Sequence, residues 1–92
     1  MMSKVIKTNG EVYDCLPTNG KAFTLEEMQA IVGGYIEIIN LGDNLVMVMN
    51  EDGKYNCKMN IDATEVAQCY EAIHPMDYIS GDVLVTKTEY VK

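Results

Sequence analysis

Residues 35–49 read Tyr-Ile-Glu-Ile-Ile-Asn-Leu-Gly-Asp-Asn-Leu-Val-Met-Val-Met. Two apolar runs, Tyr35–Leu41 and Leu45–Asn50, flank Gly42-Asp43, and a leading glycine in a two-residue loop suits a type II′ hairpin turn. Side chains alternate across a strand, so a run that is apolar at successive positions leaves no face for water. The pattern predicts a hairpin covered from both sides, with Tyr35–Leu41 a central strand of its sheet.

Working outward, Asn9-Gly10 predicts a second hairpin, Lys4–Lys7 with Glu11–Leu16. Asp52-Gly53 leads into a third strand region, Lys54–Met59, in which Tyr55, Cys57 and Met59 alternate with Lys54, Asn56 and Lys58, as a half-exposed strand does. Asp82–Thr88, introduced by Gly81, reads as the last strand. Between them, Thr24-Leu25-Glu26-Glu27 is a capping box, followed by an apolar stripe of Leu25, Met28, Ile31 and Val32 and stopped by Gly33-Gly34. A second helix starts near Asp62, buries Val66, Cys69, Tyr70 and Ile73, and ends at Pro75. The expected fold is one α+β domain over residues 1–92, a mostly antiparallel sheet with two helices packed on it, in the order β-β-α-β-β-β-α-β.

Composition narrows the function. Ninety-two residues allow one domain, and a hydrophobic fraction of 48% excludes a disordered chain. A domain of this size hides only about 60% of its unfolded surface, so stability is marginal and a homo-oligomer, most simply a two-fold dimer, is expected. No run approaches the roughly 20 apolar residues of a membrane helix, and Met1–Lys7 has no signal-like segment, so a cytoplasmic protein without membrane contact is expected. The net charge is −7 and all seven basic residues are lysines. Arginine is the side chain that reads phosphates and base edges bidentately, so an acidic chain without it is a poor direct nucleic-acid binder.

Catalytic and metal signals are weak. Cys15, Cys57 and Cys69 lack paired spacing, and a zinc site would have to gather them with His74 from four distant places, so reduced, partly buried cysteines are the better reading. His74, beside Pro75 at a helix end, suits the helix dipole better than general-base work. Gly33-Gly34 follows a helix, which excludes a dinucleotide fingerprint, and Asn50–Lys54 is too short for a calcium loop. The expectation is a protein with no enzyme activity, no metal and no cofactor. Glu37, a carboxylate within an apolar strand, either orients a ligand or faces outward, and Tyr35, two residues earlier, shares its strand face. Seven methionines suit core filling, and six tyrosines suit a binding surface.

The run Val32–Ile39, the turn Asn50–Lys54, Asn60 with Ala63-Thr64, and Gly81–Val85 together resemble a small domain family of phages and bacterial mobile elements, over nearly the whole chain. The chain differs from that pattern in having Cys57-Lys58-Met59 where a proline-rich lead into Asn60 is usual. The resemblance implies an accessory gene product, several such genes countering bacterial immunity, and it supplies no catalytic residue. Three function classes follow: a binder that sequesters a small, nucleotide-like immune signal; an acidic inhibitor docking on a host defence or restriction protein; and a structural or regulatory phage protein. The first is favoured, with Tyr35, Glu37, Asn50, Glu51 and Asn60 as the candidate ligand-binding residues, because these motif positions are polar without being mainly acidic.

Overall fold

The computed structural model describes residues 3–91; Met1 and Met2, the start of the segment read as lacking a signal, lie outside them. The elements in chain order are β1 (Ser3–Ile6), β2 (Val12–Cys15), α1 (Leu25–Val32), β3 (Ile36–Gly42), β4 (Leu45–Asn50), the single turn α2 (Gly53–Asn56), α3 (Ile61–Cys69) and β5 (Val83–Lys87), ending in a 3₁₀ turn, Thr88–Tyr90. The strands form one antiparallel sheet in the order β2-β1-β5-β4-β3. Two hairpins thus flank the C-terminal strand, which inserts between them.

Alternation along β4 and β5 divides the core into two layers. Met47, Met49, Val83 and Val85 pack with Ala63 and Ala67 of α3, while Val48 and Leu84 pack with Met28 and Val32 of α1 and with Phe23. One helix therefore covers each face of the sheet, and the α+β class holds. On α3 the small residues Ala63 and Ala67 and the hydroxyl of Thr64 are what is buried, so the helix axis comes close to the sheet. Val66 is only partly covered, and Cys69 and Tyr70 point outward, unlike the stripe expected from spacing. The helix also stops earlier than Pro75. Glu71 adopts a left-handed φ of 55°, and the N–H of Ala72 closes back on the carbonyl of Ala67, a Schellman-type end that folds Ala72 and Ile73 back onto the core.

Three further expectations are corrected. First, β3 is an edge strand. Its apolar run is covered by one neighbouring strand only, Ile38 is 42% exposed, and the central place belongs to β5, whose Val83, Leu84, Val85 and Thr86 are all buried. Second, Lys54–Met59 is not a strand. Asp52 has φ −105° and Gly53 is not left-handed, so Asp52-Gly53 does not make a type I′ turn; the chain instead winds through α2, with Cys57 N–H donating to the Gly53 carbonyl at 2.8 Å. Only Met59 keeps a β-bridge, to Ser80. Third, the β3–β4 turn is carried by Asp43 and Asn44, at φ 53° and 62°, the paired positive angles of a type I′ turn.

Helix α1 has the bounds its capping box predicts, with Thr24 Oγ1 accepting from Glu27 N–H and Gly33 at φ 82° ending it; Leu25, counted in the stripe, is exposed. Glu27 also accepts from the backbone and hydroxyl of Thr18, tying the 17–23 loop to the helix. Those bonds, Thr18 first, pull its carboxyl pKa down from 4.5 to about 2. A carboxylate favoured in the folded state contributes stability that is complete above its unfolded value and lost as pH falls toward the folded one. Thermal melts between pH 5 and pH 2 should therefore show stability falling through that window, and Glu27→Gln should flatten the dependence. An unchanged slope in the variant would assign the acid sensitivity elsewhere.

Candidate functional site

A cleft of about 180 Å³ opens at the end of the sheet where β3, β4 and α2 meet the segment before β5. Glu37 enters from β3, on the α3 side, directly across from Met49 of β4. Asn50 and Glu51 follow from the end of β4, Gly53, Lys54 and Tyr55 from α2, and Tyr78, Ile79 and Ser80 from the strand-like approach to Gly81.

Backbone contacts lock this corner. Gly81 N–H donates to the Lys58 carbonyl and Asn60 N–H to the Ile79 carbonyl, each at 2.8 Å, on either side of the Met59–Ser80 bridge. A Cβ on Gly53 would lie 2.7 Å from the Ser80 carbonyl oxygen, so only glycine lets α2 approach there. Asn50 Nδ2 donates to the Val32 carbonyl at 3.1 Å and its Oδ1 accepts from Asp52 N–H at 2.8 Å, which joins the end of α1 to the turn.

The charged groups are arranged around Lys54. Its ammonium pairs with Asp77 and stands 4.9 Å from the centre of the Tyr78 ring, a cation–π contact. Asp77 also accepts from the Tyr78 N–H at 2.8 Å. The Asp77 carboxylate raises the Lys54 pKa, with a smaller contribution from Glu37, and Lys54 in turn lowers that of Asp77. Both groups are solvent-exposed, so the pair sets geometry more than stability. Among the described residues the Glu37 and Glu51 carboxylates accept no hydrogen bond, so the cleft presents two open acceptor groups, one ammonium and the rings of Tyr55 and Tyr78.

Of the five candidate residues, Glu37, Asn50 and Glu51 line this cleft. Asn50 does so with both side-chain atoms engaged in the fold. Tyr35 is 72% exposed and lies outside the lining; its carbonyl accepts from Glu51 N–H, and its ring does not join Glu37 in one site. Asn60 is 1% exposed and out of a ligand's reach. It caps α3 through Ala63 N–H and donates to the carbonyls of Ile6 and Gly81. Sequence reading missed Lys54, Tyr55, Asp77 and Tyr78. Asp77 and Tyr78 sit more than twenty residues beyond the turn they meet, and the only signal was the excess of tyrosine. His74 is exposed, away from this lining, and its Nδ1 accepts from Met76 N–H in a turn. Among the described residues no three His, Cys, Asp or Glu side chains converge as a metal site, and no helix is long and apolar enough to cross a membrane.

A five-stranded antiparallel sheet between two helices, with an acidic, tyrosine-flanked cleft at one end, defines a small α+β domain. The chain belongs to the family described as a domain of unknown function, DUF3846, whose model matches residues 5–91. Comparison with curated proteins and with solved structures finds no match.

Proposed function

We propose that this domain is a non-catalytic binding protein that captures a small, nucleotide-like ligand in the Glu37–Lys54–Tyr78 cleft. The observation that carries the reading is the pair of open carboxylates beside two tyrosine rings. A nucleobase is flat and presents N–H donors on one edge; tyrosine stacks on its face and a carboxylate accepts from its edge. Lys54 is the one cation among the lining residues, and a phosphate would share its ammonium with Asp77. A cavity of about 180 Å³ is smaller than the roughly 300–1,000 Å³ of sites for larger organic ligands, so it suits one ring system, with the rest of the ligand outside. The motif resemblance to phage accessory domains suggests counter-defence, with an immune signal as the ligand.

Titration calorimetry with guanosine and cytidine mononucleotides, and with cyclic nucleotides built from the same bases, tests this. Tyr78→Ala should weaken binding about tenfold, the order of one stacked base. Glu37→Gln, which keeps shape and removes the charge, should discriminate against bases whose donor edge the carboxylate holds. No binding at millimolar ligand, or binding indifferent to both changes, would refute the site.

A second reading, docking on a host protein, has its own observation. A groove of about 540 Å³ lies between α3 and the β1–β2 hairpin, lined by Val12, Val66, Tyr70 and Leu45 and rimmed by Asp62 and Glu65. A host protein that co-purifies and is released by Tyr70→Lys, with no nucleotide bound, would favour it.

A further inference from the structure

The two edges of the sheet differ. β2 has four residues, is followed at once by Leu16-Pro17, and carries Asp14 paired with Lys4, all of which blunt an edge. β3 has seven residues and Glu37 as its one charge. The Glu51 N–H donates to the Tyr35 carbonyl at 2.9 Å, and this sets the alternation along the ladder. Tyr35, Glu37 and Ile39 turn their backbone groups toward β4, and Ile36, Ile38 and Asn40 turn theirs to the open edge. Among the described residues nothing else bonds to those outward groups.

We infer that the open edge of β3 pairs with the same edge of a second copy of this chain, antiparallel and two-fold, with Ile38 opposite Ile38 of the second copy. Three features select this occupant and register. An antiparallel row centred on Ile38 is self-complementary: Ile36 meets Asn40 of the second copy, Ile38 meets Ile38, and Asn40 meets Ile36, each pair exchanging both N–H···O bonds. The ladder irregularity between Asn40 and Gly42 ends the regular stretch, so this register is the two-fold one that uses all of Ile36–Asn40. Shifting the centre to Glu37 sets two carboxylates face to face, and shifting it to Ile39 runs into the irregularity. Centred on Ile38, Glu37 stands opposite Ile39 of the second copy, and the exposed Ile38 side chains cover each other.

Two short strands bury less than the roughly 1,200 Å² of a stable complex, so the dimer is weak and concentration-dependent. Each copy carries a net charge of −7, so screening strengthens association. The inference stands apart from ligand capture, because its test reads association alone.

Sedimentation velocity from about 10 μM to about 1 mM, at low and moderate salt, should show a dimer that grows with both. Hydrogen exchange at Ile36, Ile38 and Asn40 should slow over the same concentration range. Ile38→Lys, at a half-exposed position, should move the dimer midpoint at least about tenfold higher by placing like charges opposite each other. Ile38→Pro removes an outward N–H that β4 does not use and should abolish association. Tyr13→Lys, at an exposed position on the other edge strand, should leave it unchanged. A wild-type chain that is monomeric throughout, or a dimer that survives both Ile38 changes, would overturn the inference. A dimer lost with Tyr13→Lys would also overturn it. Should a variant lose its circular dichroism, the concentration dependence of exchange in the wild type decides.

Discussion

Asn60→Ala will destabilise the domain by about 3 kcal/mol or more, the largest effect expected from a single polar side chain here. The side chain is 1% exposed and performs three tasks at once. Its Oδ1 caps α3 through Ala63 N–H at 3.0 Å, and its Nδ2 donates to the Ile6 carbonyl at 3.0 Å and the Gly81 carbonyl at 2.8 Å. Losing an N-cap costs about 1 kcal/mol and leaving the Gly81 carbonyl unpaired about 1–3 kcal/mol, while the Ile6 carbonyl, still bonded across the ladder to Val83, adds about 1 kcal/mol for one lost hydrogen bond. Small domains have only about 5–15 kcal/mol in total, so urea unfolding should shift markedly. Asn60→Asp separates the tasks. It keeps the cap acceptor but turns a carboxylate oxygen toward two carbonyl oxygens. Burial and that repulsion raise its folded pKa above the unfolded value, so the folded state binds the proton more tightly. The variant should gain stability as pH falls from 7 toward 4, a range in which the wild type gains none from this position. A variant as stable as the wild type at pH 7 would show that the two carbonyls do not depend on Asn60.

Leu84→Ala should cost about 2–5 kcal/mol, and Ile38→Thr, at protein concentrations that keep the chain monomeric, about 1 kcal/mol. Leu84 is fully buried in β5, packed between its neighbours and the α1 layer that holds Met28 and Val32. Ile38 keeps 42% of its surface in β3. The comparison tests the strand order directly, since the sequence pattern ranks β3 as the more central of the two. Chemical unfolding of both variants reads the difference; equal losses would argue that β3 is covered on its open side even in the monomer.

Much of the fold was legible because local chemistry determines it. The capping box at Thr24–Glu27 and the left-handed Gly33 bound α1 at the residues expected, since caps satisfy backbone groups within a few positions. The apolar runs identified β3 and β4, Gly81 marked the start of β5, and Asn9-Gly10 with Gly10 at φ 92° turned the first hairpin. The candidate cleft was half legible. Glu37 stood out as a carboxylate within an apolar strand and Glu51 by its place in the Asn50–Lys54 motif turn, and both line the cleft. Asn50 and Asn60 stood out equally, yet they hold the fold, because a motif asparagine that bonds backbone looks in sequence like one that bonds a ligand.

The hairpins, α1 and the apolar runs of β3 and β4 were legible in the chain alone, because turns, caps and strand-forming runs depend on residues near one another in sequence. Strand order, the fate of Lys54–Met59 and the meeting of Lys54 with Asp77 and Tyr78 depend instead on segments far apart in the chain. An apolar run reports how much surface a strand hides and not which neighbour hides it, so β3 reads as the central strand although β5 is the one that inserts between the hairpins. Tyr55, Cys57 and Met59 alternate as a strand would, but no sheet edge reaches them except at Ser80, and Tyr55 ends 88% exposed on a helical turn. The contact of Gly53 with the Ser80 carbonyl joins segments 27 residues apart, and that closure, which no local propensity encodes, forms the cleft.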